Sequence, residues 1–248
     1  MIKFFRRIRQ KLLSESKFSK YLLYAIGEIV LVVIGILIAL QINNWNEQRK
    51  TSNQRKKLIQ ALHADALTTD ERLDFGLQMA NGINQKLTHF LTMLDNEGDL
   101  IAKDTLKSYS SFIFQVANFR PAMSSYETAV STGNIALLDN NTLMAHYVQF
   151  KDSYDWFKLH QTISGNMVYL GSVSNLRKKL GSAKIIMKNE EDYPKEFELS
   201  EEDFMNLFKE KEVYSTFESM QWLVRNQLEA LKRAKTANNQ IIAVLTEM

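Results

Sequence analysis

The chain has 248 residues, 45% hydrophobic and 24% charged, an ordinary globular balance that excludes whole-chain disorder and collagen-like repeats. Cysteine is absent, which excludes disulfides, thiolate metal sites, iron–sulfur clusters and cysteine nucleophiles together. The net charge of +3 divides unevenly: residues 1–20 carry seven basic residues against Glu15 alone, and residues 21–248 carry 24 basic against 27 acidic residues. A nucleic-acid-binding protein spreads basic charge over a folded face, so no nucleic-acid partner is expected.

Two prolines and nine glycines in this length favour long uninterrupted helices. The chain opens MIKFFRRIRQKLL. On a helical wheel Met1, Phe5, Ile8 and Leu12 fall within about 60° of each other, with Lys3, Arg7 and Lys11 on the other side. One reading is a basic amphipathic helix in the membrane interface, with Arg6, Arg7 and Lys11 toward anionic lipid. The other is a disordered basic stop signal.

Residues 22–40, LLYAIGEIVLVVIGILIAL, contain one charge, Glu28. At about 1.5 Å per residue this run covers roughly 28 Å, the hydrocarbon thickness of a bilayer. Tyr21 and Tyr24 stand at one end and Trp45 at the other, where amphipathic rings favour the headgroup level. The run is longer than a cleaved signal peptide's apolar region, and the bulky, polar Gln41-Ile42-Asn43-Asn44-Trp45 offers no small-x-small cleavage site. The reading is an uncleaved signal anchor that spans a membrane once. Residues 46–65 carry five basic residues against seven in residues 1–20. That modest bias points the N-terminus to the cytoplasm and the C-terminal bulk to the periplasm, or to the cell exterior in an organism with one membrane.

With Glu28 as origin, Gly35 falls at about −20°, Ala39 and Tyr21 at about +20° and Tyr24 at about −40°. One stripe therefore gathers the only charge, a small-xxx-small pair and two hydroxyls, the pattern of a helix that packs on another helix. A carboxylate facing lipid costs ~3 kcal/mol on insertion scales. Three roles stand open for Glu28: packing in an oligomer, snorkelling to the cytoplasmic interface, and ion or proton coupling.

Beyond Trp45 no useful strand alternation occurs. Leu58, Leu62, Ala66, Leu73, Leu77, Leu87, Leu91 and Leu94 keep helical spacing. A continuous helix out of the span is expected, with Gly76 and Gly82 as possible bends. Asp104 is the expected N-cap of a helix carrying Leu106, Tyr109, Phe112, Ile113 and Val116. Pro121 closes a turn, a short helix runs from Ser124 to Thr132, and Gly133 suits its left-handed C′ position. Asn141 or Thr142 opens a long helix reaching toward Gly181. A polar connector containing Pro194 fills 182–199. Ser200 with Asp203 resembles a capping box, and the last helix covers about 213–247. The expected fold is all-α: a basic segment 1–20, a transmembrane helix 21–45, and an extracytoplasmic helical bundle 46–248 whose first and last helices are antiparallel neighbours.

Catalytic patterns are missing: no HExxH, Walker A, GxSxG or GxGxxG occurs. His146 and His160 lie about 21 Å apart on one helix, too far to share a metal. In Asp95-Asn96-Glu97-Gly98-Asp99 the glycine is fourth and no glutamate holds the twelfth place, so it reads as a solvated turn rather than a calcium loop. No metal, no cofactor and no enzymatic activity is expected. The aromatic series Tyr147, Phe150, Tyr154, Trp156 and Phe157, with Phe204, Phe208, Phe217 and Trp222, reads as core, with a ligand pocket as the alternative. Arg120 beside Pro121 is either a clamp for an acid or a surface guanidinium.

The segment from Lys17 through Glu28, Gly35 and Trp45 to Asn46, KFSKYLLYAIGEIVLVVIGILIALQINNWN, resembles the opening of a domain-of-unknown-function family of single-pass bacterial membrane proteins. Phe119-Arg120-Pro121 through Tyr126-Glu127, and Ser131-Thr132-Gly133-Asn134-Ile135, are similar to that family's second shared stretch, from whose Ser-Gly-Asn-Leu core Thr132 and Ile135 depart. The resemblance implies an envelope location and a helical extracytoplasmic domain, and no activity. Arg120, Tyr126 and Asn134 are the residues expected to meet a ligand or partner. The expected function is a non-enzymatic membrane-anchored protein that self-associates through Tyr21, Tyr24, Glu28, Gly35 and Ala39 and presents its helical domain to an envelope partner. The alternative is a sensory module that binds a small ligand and signals through another protein.

Overall fold

The computed structural model describes residues 18–97, 101–180 and 199–248. The expected interfacial segment with Arg6, Arg7 and Lys11, residues 98–100 of the acidic turn and residues 182–198 of the connector lie outside them, as does the side chain of Tyr21. Among the described residues every regular element is helical: α1 Phe18–Glu97, α2 Lys103–Ser110, α3 Ser124–Ser131, α4 Asn141–Tyr169, α5 Ser172–Lys179, α6 Glu201–Lys209 and α7 Lys211–Glu247. Short 3₁₀ turns at Ser111–Phe114 and Asn134–Leu138 complete the set. The chain divides into two compact units, Met1–Lys57 and Leu58–Met248.

In the first unit, α1 is apolar over residues 22–40 apart from Glu28: its most apolar window has a mean hydropathy of 2.7 and none of that window is buried. This makes it a candidate membrane span.

In the second unit α1 buries Leu62, Ala66, Thr69, Leu73, Ala80, Ile83, Leu87 and Phe90 along one seam, with Leu91 buried next to it. With Gly76 the seam residues form an unbroken alternation of three- and four-residue steps. On α7 the sequence Val213, Phe217, Met220, Val224, Gln227, Leu231, Ala234, Asn238, Ile241 and Leu245 repeats it. A 3.5-residue period keeps one seam facing a partner helix over many turns. Cross-links at His63–Thr246, Asp70–Lys235, Thr88–Gln221 and Asp95–Tyr214 run in opposite sequence directions, so α1 and α7 are antiparallel, as expected. Helix α4 packs on α7 and buries Leu143, Tyr147, Phe150, Phe157, Ser164 and Val168.

Two amides interrupt this seam. Gln227, fully buried, donates to the His160 carbonyl (3.1 Å) and to Ser164 Oγ (2.7 Å) on α4. Asn238 donates to the Ala66 carbonyl (3.0 Å) and Asp70 Oδ1 (3.3 Å) on α1. A buried amide is satisfied in one register only, so the pair fixes how α7 slides against both neighbours. Phe90, Phe208 and Phe217 fill one end, with centroids 4.5 to 5.8 Å apart.

Helix ends differ in detail from expectation. Ser200 Oγ accepts from the Asp203 amide (3.1 Å), as a cap should, and Gly133 takes φ +73° beyond α3. Asp104 is not a cap: Ala102 precedes α2 without any side-chain bond, and the helix gives way to the 3₁₀ turn before Val116. Helix α4 opens at Asn141, one of the two expected residues, and Asn140 before it caps the helix by accepting from the Leu143 amide (2.9 Å). The long helix stops at Tyr169 because the Leu170 and Gly171 amides both turn onto the Asn166 carbonyl (2.8 and 2.9 Å). A Cβ on Gly171 would stand 3.1 Å from the Met167 Cα. Glycine permits that close return and the separate helix α5.

Candidate functional site

On α1, Asp65, Thr69, Arg72 and Gly76 follow at steps of four, three and four, Thr69 and Gly76 within the buried seam and Asp65 and Arg72 beside it. Together they strap the loop 115–123 onto the helix. Thr69 Oγ1 donates to the Ala122 carbonyl (3.1 Å) and accepts from the Ala122 amide (2.9 Å). Arg72 Nη1 donates to the Arg120 carbonyl (3.2 Å). Asp65 Oδ2 accepts from the Ser125 amide (2.8 Å), satisfying a free donor in the first turn of α3. Gly76 is buried against the loop, and a Cβ there would meet Phe119 Cβ at 3.4 Å and the Asn118 carbonyl at 3.7 Å. The α1 helix continues unbroken through Gly76 and Gly82.

From the other side, Gln161 Nε2 on α4 donates to the Ala117 carbonyl (2.9 Å) and Asn118 Oδ1 (3.3 Å). The Phe119 ring is buried edge-to-face on Tyr154 (5.7 Å) and Phe157 (5.9 Å). Arg120 and Pro121 are thereby held at the surface on a backbone fixed from two helices.

Around them opens a groove of about 710 Å³, lined among others by Arg72, Arg120, Pro121, Tyr126, Glu127, Lys151, Tyr154, Asp155 and Lys158. Tyr126 stacks on Tyr147 with centroids 4.2 Å apart and planes at 19°. Burial, aided by the Asp65 charge, pushes the Tyr147 phenol well above its ordinary range. Lys158 Nζ lies 5.5 Å from the Tyr154 ring centroid. Burial raises the Tyr154 phenol, opposed by the Arg120 charge. Lys151 pairs with Asp155 at 3.4 Å, both well exposed. Among the described residues Arg72, Arg120 and Lys158 make no ion pair.

Of the residues singled out from sequence, Arg120 and Tyr126 therefore meet in one groove. Asn134 does not: it opens the second 3₁₀ turn, exposed, and is not among the residues that line the groove. Asp65, Thr69, Arg72 and Gly76 escaped sequence reasoning. The signal was present as a polar i, i+4, i+7 series beside an apolar heptad. Most of the aromatic series is core, with Tyr147, Phe150, Phe157, Phe204, Phe208 and Phe217 all buried, whereas Trp222 is 60% exposed. His160 is buried, its Nδ1 2.9 Å from the Trp156 carbonyl. Among the described residues no three His, Asp or Glu side chains are grouped to hold a metal ion.

In the first unit Tyr24, Glu28, Gly35 and Ala39 share one face of α1 by helical geometry. Tyr24 and Glu28 are half-buried; Gly35, Ala39 and Trp45 are exposed. A Cβ on Gly35 would meet no heavy atom within 4 Å, so that side is open to a neighbour.

The pattern of the family of unknown function DUF6090 matches residues 28–209. The chain belongs to this family. The DUF6090 match opens at Glu28 inside the candidate span and closes at Lys209, the last residue of α6. It takes in the whole strap and groove and leaves α7 outside. The resemblance read from the sequence to a domain-of-unknown-function family is thus correct, although residues 17–27 precede the match. No curated protein and no solved structure matches the chain.

Proposed function

We propose that this chain is a non-enzymatic, membrane-anchored envelope protein that self-associates through its span and presents its helical unit to a protein partner. One observation carries the reading: nineteen residues that are apolar apart from Glu28, of which none in the most apolar window is buried. In water such a surface is unstable; in lipid it is at home. The basic bias of residues 1–20 favours a cytoplasmic N-terminus and a periplasmic C-terminal unit. The small, exposed Gly35 and Ala39 on one face of the span support self-association, because small residues let the backbone of a neighbouring helix approach closely.

Two measurements test this. A reporter active only outside the cytoplasm, fused after Met248, should be active; a cytosolic signal overturns the orientation. Cross-linking in native membranes should trap oligomers that Gly35→Leu diminishes by filling the close-approach surface. A strictly monomeric full-length chain overturns self-association. The groove at Arg120 favours a second reading, a sensory module that binds a small ligand and signals through its partner.

A further inference from the structure

The second unit, residues 58–248, carries 19 basic against 25 acidic residues, yet its Arg120 groove is lined by four cations and two carboxylates. The groove is a positive patch on a negative body. Lys151 is already matched by Asp155, which leaves Arg72, Arg120 and Lys158 as charges without an ion-pair partner among the described residues. Glu127 is the one other carboxylate among the lining residues, so the groove keeps an excess of positive charge that a bound anion would balance.

The site is built rather than incidental. Arg72 is held by its own bond to the Arg120 carbonyl, and the loop carrying Arg120 is fixed by Thr69 and Gln161. A guanidinium positioned in this way retains further N–H donors in a planar fork that suits a carboxylate or phosphate. Tyr126 and Tyr154 supply ring surface beside the cations. The volume of about 710 Å³ is that of a small-molecule site.

We propose that this groove binds a small organic anion, its phosphate or carboxylate held by Arg72, Arg120 and Lys158 and its aromatic or apolar body against Tyr126 and Tyr154. The inference rests on the ligand-binding reading above and is independent of the span's orientation and self-association.

Isothermal titration of the full-length protein in nonionic detergent, with phenyl phosphate, benzoate and neutral benzyl alcohol, tests it. At least one anion should bind saturably and at least tenfold more tightly than benzyl alcohol, and comparison of the two anions tells phosphate from carboxylate. Arg120→Ala and Lys158→Ala, both at exposed side chains, should each weaken that anion about tenfold, the usual worth of a charge-assisted bond. Lys232→Ala, exposed and outside the groove, should stay within twofold. Equal binding of benzyl alcohol and the anions overturns the anion preference while leaving a ligand groove. Absence of saturable binding by either anion, or equal losses in Arg120→Ala and Lys232→Ala, overturns the site itself.

Discussion

Helix α1 runs through two kinds of sequence. Over residues 22–40 its apolar side chains point in every direction and none in the most apolar window is buried; from Leu62 onward most of them gather on one buried seam, with Leu67 and Phe75 left exposed. Backbone hydrogen bonding is the same in both, so it does not distinguish them. The angular spread of apolar side chains does: a full circle asks for an apolar solvent, whereas a narrow seam asks for another helix.

The sharpest way to break that contrast is to delete the same kind of bulk in each region. Phe217→Ala removes a fully buried ring in contact with Phe90 and Phe208 and should cost about 4 kcal/mol in denaturant unfolding. Leu37→Ala, 59% exposed, should leave the same unfolding curve unchanged. Similar losses at both sites would mean that the first region folds into the core.

A charge probes the other side of the comparison. Ile34→Arg, near the middle of the apolar run, should raise the cost of membrane insertion by about 3 kcal/mol, seen as protein appearing in the soluble fraction. The same replacement at exposed Leu159 in the second unit should leave fractionation unaltered. Retention of Ile34→Arg at wild-type level would argue against a lipid-facing helix there.

Thr69→Val is a smaller perturbation. It keeps the shape of a buried side chain but severs both bonds to Ala122. A loss of about 2 kcal/mol is expected, together with faster amide exchange at Ala122 and Ser125. Unchanged exchange would show that the loop is held without its strap.

Tyr214 gives the mildest effect. Its hydroxyl donates to Asp95 Oδ1 (2.8 Å), and this bond, with some burial and the Asp95 charge, lifts the phenol from 10.0 to about 12. A phenol raised in the folded state contributes stability that is complete below pH 10 and disappears as pH climbs through about 12. Stability of the wild type should therefore fall over that window, and Tyr214→Phe should flatten the fall. An ultraviolet titration that places Tyr214 near 10 would remove the basis for it.

The helices of the second unit were legible where a residue type decides geometry locally. Ser200 before three acids announced its cap, and Gly133 announced a left-handed residue, because both effects act within four residues. Asp104 had the same signature and misled, since Lys103 already opens the helix after Ala102, which leaves Asp104 inside the first turn. The end of α4 at Tyr169 was hidden because Gly171 matters only through its approach to Met167. Half of the groove was visible in Arg120 and Tyr126, which a turn and a family resemblance marked. Arg72 and Lys158 lie 48 and 38 positions from Arg120 in sequence, and no local pattern relates such separations. Asn134 sits eight residues after Tyr126, yet the turn at Gly133 carries it out of the groove.

The sequence by itself determined the helical class, the family, the long apolar run and the helical spacing of the apolar residues after it, because each depends on the order of residues along one chain. The tertiary structure alone decided that Gln227 and Asn238 lock α7 to opposite neighbours, and that Asp65, Thr69 and Arg72 bind a distant loop. It alone brought to one groove three cations that make no ion pair among the described residues. Such contacts join residues far apart in sequence, and only packing the seams together fixes which of them meet.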